Sequence, residues 1–405
     1  MFNQARTTRW AAVAAVGLLL TARGLPADVK LSFVHGGKPL ACRIEGLADP
    51  ETLRVRERTG TRLVKLADIQ QIDFGSPVTR DSNGLVIEPI GGSRLHGRIL
   101  GGDASAFQIQ VRGLGRLTMP LDKIRVAANA AVDGGEAGPR ALAEVRKTPR
   151  DRDTLLFAVR GEIRPFPTLV RKMDAGGVEI QWSGGTRMVG WERIYAIVFA
   201  AFADNGAAAA APARAILTDG SVVAGRILAF SATRLTLAPT FVERIDIAVA
   251  DVARVEFSSE KLVHLSDQKP SQMKKAGYFG QSWPVRFDVS LTGRPLMLGK
   301  VIYKKGIACH SHAAITYDLD GKFKTFAATI GIHDETDGLG NCVFRVTDEN
   351  GKQLYSSGDQ SARDPPRTVS VDVTGVKKLV LVVDFGKDKG VGDNAVWADA
   401  RVIKP

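Results

Sequence analysis

The most chemically versatile side chains of this chain lie together in the stretch KKGIACHSHAAITYDLDG, residues 304–321. It holds two of the six histidines, His310 and His312, and one of the three cysteines, Cys309. An imidazole can bind a metal, move a proton or hydrogen-bond a hydroxyl group. Residues two apart on a strand share a face, so both histidines are expected on one face. Cys309 and His312 then point to opposite faces, so the sequence does not predict a thiol nucleophile with a histidine base.

Three roles for these histidines agree with the sequence. With His264 and His333 they could form a zinc cluster, since histidine is a common zinc ligand. No carboxylate or cysteine stands at metal-ligand spacing beside them. A hydrogen bond to a ligand and a structural role in the core are the alternatives, and all three stay open on the residues alone.

Three aromatic side chains are candidates for stacking against a ligand. Trp283 and Tyr278 belong to the glycine-rich segment AGYFGQSW, which is expected to be an exposed loop. Trp397 lies among small residues in AVWADARV, where packing in the core is the alternative.

The sequence contains no motif that predicts a hydrolase active site. There is no GxSxG nucleophile elbow and no pair of carboxylates typical of a glycosidase. The segment HDETDG (333–338) lacks the alternating oxygen ligands of a calcium loop and is expected to be a solvated turn. Cys42, Cys309 and Cys342 form no CxxC, and a Cys309–Cys342 disulfide or buried free thiols are both open.

The N-terminus predicts export. Arg6 and Arg9 precede the apolar run WAAVAAVGLLLTA, which is too short to span a bilayer comfortably because a spanning helix needs about 20 residues. We therefore expect a signal peptide over 1–27, no membrane span after its cleavage, and a secreted, periplasmic or cell-envelope location. The formal net charge is +12, and the basic residues form no long Lys/Arg block. It favours anionic cell-surface polymers as partners, whereas nucleic acid is not expected for an exported chain.

Residues 28–260 contain an internal repeat. Three copies share a turn, a strand and a Gly/Cys-Arg-Ile step: HGGKPLACRI (35–44), IGGSRLHGRI (90–99) and TDGSVVAGRI (218–227), and VRGEIRPFPTL (159–169) is a weaker fourth. Apolar residues follow each anchor at a constant distance. The anchors are Ile44, Ile99, Leu169 and Ile227; the residues 22 positions later are Leu66, Leu121, Trp191 and Val249; those 25 positions later are Ile69, Ile124, Ile194 and Val252.

The local pattern of every copy predicts short strands. Segments such as LRVRER and FQIQVR alternate with period two between glycine turns. Each copy is expected to close its own edges as a small, strongly bent β-barrel. The turn glycines and periodicity resemble the Sm-like and SH3-like small-barrel families. The predicted units are 28–76, 85–127, 154–202 and 214–260, acting as spacers or as sites for protein partners.

The segments between the copies are expected to be mobile spacers, because they are rich in Ala, Gly and Pro. They are residues 76–84, 128–153 and 203–214, and ALAEVRK within the second is predicted to form one or two helical turns. From residue 263 onward the strands become longer, with tight turns such as LDG and DENG between them. Residues 263–405 therefore predict a β-sandwich.

This C-terminal region resembles the NPCBM family of carbohydrate-binding modules. The resemblance rests on HLSD (264–267), the run 290–332 with KGIACH (305–310), VFRVTDENG (343–351), VSVDVTGVKKLVLVVDFG (369–386) and DNAVWADARV (393–402). It implies a galactose-binding-like jelly-roll sandwich that binds sugar. The sugar contacts that follow from it are His310, His312, Trp283, Tyr278 and Trp397.

The resemblance also implies a structural calcium ion, because jelly-roll sugar binders of this shape carry one where an early loop meets the final strand. The carboxylates at those places are Asp267 and Asp399. The alternative is that Asp267 caps a turn and Asp399 pairs with a nearby Lys or Arg.

The whole sequence thus predicts an exported, all-β, non-catalytic protein that binds a glycan or polysaccharide. The competing interpretation is a cell-envelope scaffold whose sandwich binds proteins instead of sugar.

Overall fold

A computed structural model describes residues 28–79, 84–147, 151–200, 212–259, 261–275, 283–387 and 390–405. The predicted signal peptide and Tyr278 lie outside these residues. The described chain is built almost entirely from antiparallel strands, which confirms the all-β class.

The N-terminal part consists of four successive five-stranded units, here called units 1 to 4. Unit 1 has strands β1 (Val29–Phe33), β2 (Leu40–Asp49), β3 (Thr52–Glu57), β4 (Gly60–Lys65) and β5 (Ile69–Asp73). Unit 2 has strands β6 (Leu85–Pro89), β7 (Leu95–Asp103), β8 (Ala106–Val111), β9 (Gly115–Pro120) and β10 (Ile124–Asn129), followed by helix α1 (Ala137–Lys147). Unit 3 has strands β11 (Asp153–Val159), β12 (Glu162–Asp174), β13 (Gly177–Trp182), β14 (Gly185–Gly190) and β15 (Ile194–Val198). Unit 4 has strands β16 (Ala213–Leu217), β17 (Val222–Phe230), β18 (Arg234–Ala238), β19 (Ile245–Ala248) and β20 (Val252–Phe257).

The constant spacing in the sequence marks the same structural point in all four units. A single 3₁₀ turn precedes each fifth strand, and these turns are Leu66–Asp68, Leu121–Lys123, Trp191–Arg193 and Val249–Asp251. Each begins at the apolar residue 22 positions after the anchor. The fifth strands begin three residues later, at side chains with no solvent exposure: Ile69, Ile124, Ile194 and Val252. The turn therefore reverses the chain and delivers an apolar side chain into the core.

The anchor assigned to the third copy is displaced by one residue. Leu169 is 42% exposed, whereas the neighbouring Val170 is 3% exposed. Val170 pairs with Ile180 immediately before a β-bulge, as Ile99 pairs with Ile109 in unit 2. A one-residue slip moves every side chain to the other face of a strand, so Val170 is the structural equivalent of the other anchors.

The units are not separate barrels, which corrects the expectation from the sequence. The fifth strand of unit 1, β5, pairs antiparallel with β20 of unit 4, and β10 of unit 2 pairs with β15 of unit 3. Two ten-stranded sheets result, and a β12–β7 pairing joins units 2 and 3 a second time. The edge that each unit was expected to close alone is closed by a neighbouring unit, because an unpaired strand edge leaves backbone groups without partners. One hydrophobic core includes side chains from all four units.

The expected spacer between units 2 and 3 is also part of the packed structure. Helix α1 includes the predicted ALAEVRK turns, and its Val145 is buried against Leu156 and Ala196. The spacer interpretation is therefore wrong for the helical part of 128–153, and most of 203–214 lies outside the described residues.

The C-terminal part is a β-sandwich of longer strands. Its strands are β21 (Leu262–His264), β22 (Gln272–Lys275), β23 (Arg286–Phe287), β24 (Leu296–Leu298), β25 (Val301–Tyr303), β26 (Gly306–Cys309), β27 (Ala313–Asp318), β28 (Thr325–Ile332), β29 (Asn341–Thr347), β30 (Gln353–Ser361), β31 (Arg367–Asp372), β32 (Lys378–Phe385) and β33 (Ala395–Ile403). One sheet has the order β23-β26-β33-β28-β31, with β21 also paired to β33. The other has the order β22-β27-β32-β29-β30. Their inner faces enclose a second hydrophobic core, as the alternating pattern predicted.

The sandwich is docked directly on unit 1. Val34 packs with Leu262, Ala327 and Ile403 in a small apolar cluster between them. Beside this cluster the guanidinium of Arg401, in β33, donates to the backbone oxygen of Val34 at 3.0 Å. The two parts are therefore joined by a packed interface and not only by the chain between them.

Candidate functional site

A shallow concavity at one edge of the sandwich gathers three of the predicted site residues. It lies where β26 ends and β27 begins, and about 200 Å³ of empty space, open to solvent, faces its walls. The lining residues are Lys275, Trp283, Val285, Cys309, His310, Ser311, His312 and Ala313.

The wall of the concavity is an aromatic stack. The rings of Trp283 and His310 are nearly parallel, with centroids 5.0 Å apart and an interplanar angle of 11°. Trp283 is 46% exposed, so a large part of its indole faces solvent. His310 is half-buried and carries the hydrogen-bonding groups of the pair. An apolar surface and a polar ring edge therefore stand side by side.

A second stack lies beside the first. His312 packs parallel to Phe385, with ring centroids 5.3 Å apart. Its Nδ1 lies 3.6 Å from a carboxylate oxygen of Asp384, which is also paired with Arg345. The sequence did not reveal this second stack because Phe385 stands 73 residues away from His312 in the chain.

The two histidines are not on a strand, contrary to expectation. Strand β26 ends at Cys309, and His310, Ser311 and His312 connect it to β27. His312 has a φ of +61°, in the left-handed region. That turn, and not strand alternation, brings both imidazoles to the same concavity.

The environment of His310 keeps its imidazole neutral. Burial lowers its pKa, and the charge of Asp393 and backbone hydrogen bonds only partly oppose this effect. A neutral imidazole offers one donor and one acceptor, which is the combination that a hydroxyl group can use from either side. Ser311 Oγ lies 3.2 Å from His310 Nδ1, and backbone groups of Ser311 and Gly390 also hydrogen-bond the ring.

Trp397 is not a ligand-stacking residue in this structure. Its side chain has no solvent exposure and packs edge-on against Phe326 and Phe344 in the centre of the sandwich. The alternation of β33 turns it inward with Ala395, whereas Val396 and Ala398 pack in a separate apolar cluster on the other face. The core alternative is therefore correct.

The two predicted calcium ligands are ion-paired to side chains and do not fit a calcium site. Asp267 accepts a hydrogen bond from Lys305 Nζ at 2.5 Å. Asp399 accepts from Arg401 Nη1 at 2.6 Å and from Gln70 Nε2 of unit 1 at 2.8 Å. Calcium requires six to eight oxygens, and a fixed guanidinium and ammonium occupy the charge that these carboxylates would supply. The ion-paired alternative for Asp399 is therefore correct, and the calcium site stays a prediction that this geometry does not support.

The zinc alternative fails for a similar reason. His333 is buried in a loop, where its Nδ1 accepts from the Glu335 N–H at 3.1 Å and its Nε2 lies 3.0 Å from the Met297 nitrogen. His264 lies at the interface with unit 1, with its Nδ1 3.4 Å from Asp399. Within the described ranges, no three His, Cys, Asp or Glu side chains are arranged to hold a metal ion.

The acidic segment 333–338 is a packed support and not a solvated turn. The carboxylate of Asp334 accepts from the backbone nitrogens of Gly299 and Lys300 at 2.8 and 2.7 Å. Glu335 accepts from Thr292 Oγ1 at 2.6 Å and its side chain is only 7% exposed. Asp334 holds the turn between β24 and β25, and Glu335 holds the loop before β24, so neither carboxylate is free for general acid or base chemistry.

The cysteines are structural. In the described chain Cys42, Cys309 and Cys342 are buried free thiols. Burial raises the pKa of Cys42 to about 11 and that of Cys309 to about 12. A thiol with so high a pKa is a poor nucleophile at neutral pH, so Cys309 contributes an apolar wall to the concavity and no reactivity.

The site therefore defines a class of protein module: an antiparallel β-sandwich with a small, aromatic-walled concavity beside the loop that follows one strand. Residues 261–403 match the model of the family described as NPCBM/NEW2 domain, and this part of the chain is an NPCBM/NEW2 domain.

A curated protein matches part of this chain. A protein of Renibacterium salmoninarum named "Putative endo-alpha-N-acetylgalactosaminidase" is 33% identical over 111 residues, which is 27% of this chain and 7% of that protein. The chain thus spans a small fraction of the length of the curated relative it matches.

Several solved structures share local similarity. CBM51 from Clostridium perfringens GH95 in complex with methyl-galactose is 26% identical, with a TM-score of 0.32, covering 35% of this chain and 99% of that one. CBM51-2 in complex with GlcNAc and INT domains from Clostridium perfringens ZmpB is 21% identical, with a TM-score of 0.33, covering 46% of this chain and 44% of that one. The tandem CBM51 modules of Sp3GH98 from Streptococcus pneumoniae are 14% identical, with a TM-score of 0.31, covering 79% and 88%.

Proposed function

We propose that the protein is an exported, non-catalytic carbohydrate-binding protein whose NPCBM/NEW2 domain holds sugar in the concavity of Trp283, His310 and His312. The observation that carries the proposal is the half-exposed Trp283 ring stacked on a neutral His310. A pyranose ring has an apolar C–H face and equatorial hydroxyl groups. The indole matches the first and the imidazole edge matches the second.

The small size of the concavity supports a terminal sugar as the ligand. The concavity is shallow and open to solvent, so it does not enclose a ligand in the way that a deep pocket does. One ring of a glycan fits such a site, while the rest of the chain extends into solvent.

Non-catalytic binding agrees with the chemistry of the lining. The thiol of Cys309 is buried with a raised pKa, and the carboxylate of Asp384, which contacts His312, is paired with Arg345. The charged start of the sequence and its short apolar run support export. In the described part of the chain no helix is long and apolar enough to cross a bilayer. The units would present the sandwich at the cell envelope and offer surfaces to protein partners.

The test is a glycan array probed with residues 28–405, including terminal galactosides and N-acetylglucosaminides. A His310→Ala variant should bind the retained sugar about 5- to 30-fold more weakly, since one lost hydrogen bond with an unpaired partner corresponds to roughly 1–2 kcal/mol. His35→Ala is the matched control, because His35 is an exposed histidine of unit 1 that does not line the concavity.

An array on which the wild-type protein retains no saccharide would contradict the proposal and favour the scaffold interpretation. Equal binding by His310→Ala and wild type would remove the concavity from the binding site.

A further inference from the structure

Arginines that are separated in the sequence of unit 2 lie close together on the outer face of its sheet. Arg98 on β7 stands opposite Gln110 on β8, and Gln110 stands opposite Arg116 on β9. Arg112 follows β8 directly, two residues after Gln110, and like the other three side chains it is exposed. We call Arg98, Arg112 and Arg116 the arginine face.

The charges of the arginine face are not neutralised by the protein. Across the described residues, none of these three guanidiniums has a carboxylate within 4.0 Å, although ion pairs occur on both sides of them in the chain. The opposite faces of the same strands carry the buried side chains Ile99, Phe107, Ile109 and Met119. The register of a half-buried sheet thus forces the polar residues of all three strands to one solvent-facing side.

Unit 1 provides an internal comparison. Three of its arginines are also exposed, Arg43 on β2, Arg56 on β3 and Arg62 on β4, and Arg43 precedes its anchor isoleucine as Arg98 does in unit 2. Each of the three has a carboxylate partner, and the ion pairs are Arg43–Asp28 at 3.1 Å, Arg56–Glu45 at 2.5 Å and Arg62–Glu57 at 3.4 Å. The same fold therefore pairs these three arginines in unit 1 with carboxylates and leaves the arginine face of unit 2 uncompensated.

We propose that the arginine face binds an anionic polysaccharide, one that carries sulfate or carboxylate groups along its chain. Arg98 and Arg116 are two strand spacings apart, or about 10 Å, so one extended polymer can contact both. Each guanidinium pairs with a carboxylate or sulfate through two parallel N–H donors. The amides of Gln108 and Gln110, exposed on the same strands, offer donors and acceptors for hydroxyl groups between the charges.

The arginine face is independent of the concavity, because it lies on unit 2 and binds through charge, whereas the concavity lies on the sandwich and offers an aromatic ring. A flat sheet face without a pocket suits a long polymer that is held by repeated charges. The concavity suits a single ring. The chain would then hold a glycan-rich surface at two places.

The experiment measures binding of residues 28–405 to heparin and to polygalacturonate over a series of salt concentrations, with neutral dextran as the blank. One variant changes all three residues of the arginine face to Gln. The control changes Arg43, Arg56 and Arg62 to Gln and removes the same net charge. The arginine-face variant should bind about tenfold or more weakly at low salt, and its plot of log K against log salt should be shallower by about 2–3, as expected for three lost charge contacts.

Three outcomes would overturn the proposal. They are an equal loss in the control variant, which would make the effect one of net charge; no binding of wild type to either polyanion; and tighter binding of duplex DNA than of both polysaccharides through the same arginines. Melting curves verify that each variant is folded. If the triple variant is not, the single exposed substitution Arg116→Glu, compared with Arg62→Glu, gives the same test.

Discussion

Replacing Arg401 by methionine should destabilise the protein and loosen the sandwich from unit 1. The Arg401 side chain is 5% exposed and its guanidinium makes contacts on both sides of the interface. It donates to the backbone oxygens of Val34 and Phe33 at 3.0 and 3.3 Å, and to the Asp399 carboxylate at 2.6 Å. Methionine keeps the length and the apolar stem but removes every donor.

The expected cost follows from the groups left behind. Removing one partner of a buried ion pair costs about 3–5 kcal/mol, because the other charge stays buried without compensation. Asp399 retains its hydrogen bond from Gln70, and its side chain is 23% exposed, so water compensates part of the loss. We therefore expect a loss of about 2–4 kcal/mol in the free energy of unfolding.

Urea denaturation followed by tryptophan fluorescence measures this loss, because the buried Trp397 reports on the sandwich. Arg286→Met is the control, since Arg286 is an exposed arginine of the same domain and should change the midpoint little. The double variant Asp399→Asn/Arg401→Met should recover part of the stability, because no unpaired charge remains. A loss no larger than that of the control, or no recovery in the double variant, would refute the reasoning.

Three further predictions concern other parts of the chain. Gly225→Val should lower the melting temperature measured by differential scanning calorimetry. A Cβ at Gly225 would lie 2.6 Å from the backbone oxygen of Ala238, and overpacking costs about 1–3 kcal/mol. An unchanged melting temperature would contradict the close approach of the two strands. Neither added calcium nor a chelator should change the melting temperature, because Asp399 is paired with a fixed guanidinium; a rise with calcium that Asp399→Ala abolishes would restore the metal site. Cys309 and Cys342 should react with a thiol reagent at neutral pH only after unfolding, since burial raises the pKa of both; rapid labelling of the native protein would contradict their burial.

The sequence predicts the repeat well because its signal is local. An apolar residue at a fixed distance from a glycine turn reports where the chain reverses, and Leu66 and Ile69 mark the turn and the last strand of unit 1 as their counterparts do elsewhere. The pairing of the units is not local. Nothing in the sequence of unit 1 indicates that β20, about 180 residues away, pairs with the edge of β5.

The candidate site also combines features that the local sequence predicts with features that depend on distant residues. Trp283 and His310 were predicted from the residue types and the family resemblance, and the structure brings them together. The sequence alone does not show that Trp397 has a different role, because a strand tryptophan that faces the core and one that faces a ligand have the same sequence pattern. The stack of His312 on Phe385 depends on a left-handed turn and a contact between distant strands, so no pattern in the sequence indicates it.

The calcium prediction depends on positions that the resemblance supplies, and the resemblance does not supply the ion-pair partners of those positions. Asp267 and Asp399 are where the resemblance places them, but in this chain Lys305 and Arg401 supply the positive charge. Gln70 and Val34 reach the same network from unit 1, which ties it to the docking of the sandwich. The residues that decide this are far apart in the sequence.

The central claim is that sugar is held against the Trp283–His310 stack. Calorimetric titration of wild-type and Trp283→Ala proteins, residues 28–405, with the saccharide that the array selects, tests it most directly. Loss of the indole removes the apolar platform while the sandwich core, centred on Trp397, stays intact. The proposal predicts that Trp283→Ala binds the saccharide at least about tenfold more weakly with an unchanged melting temperature. An affinity equal to that of wild type would contradict it.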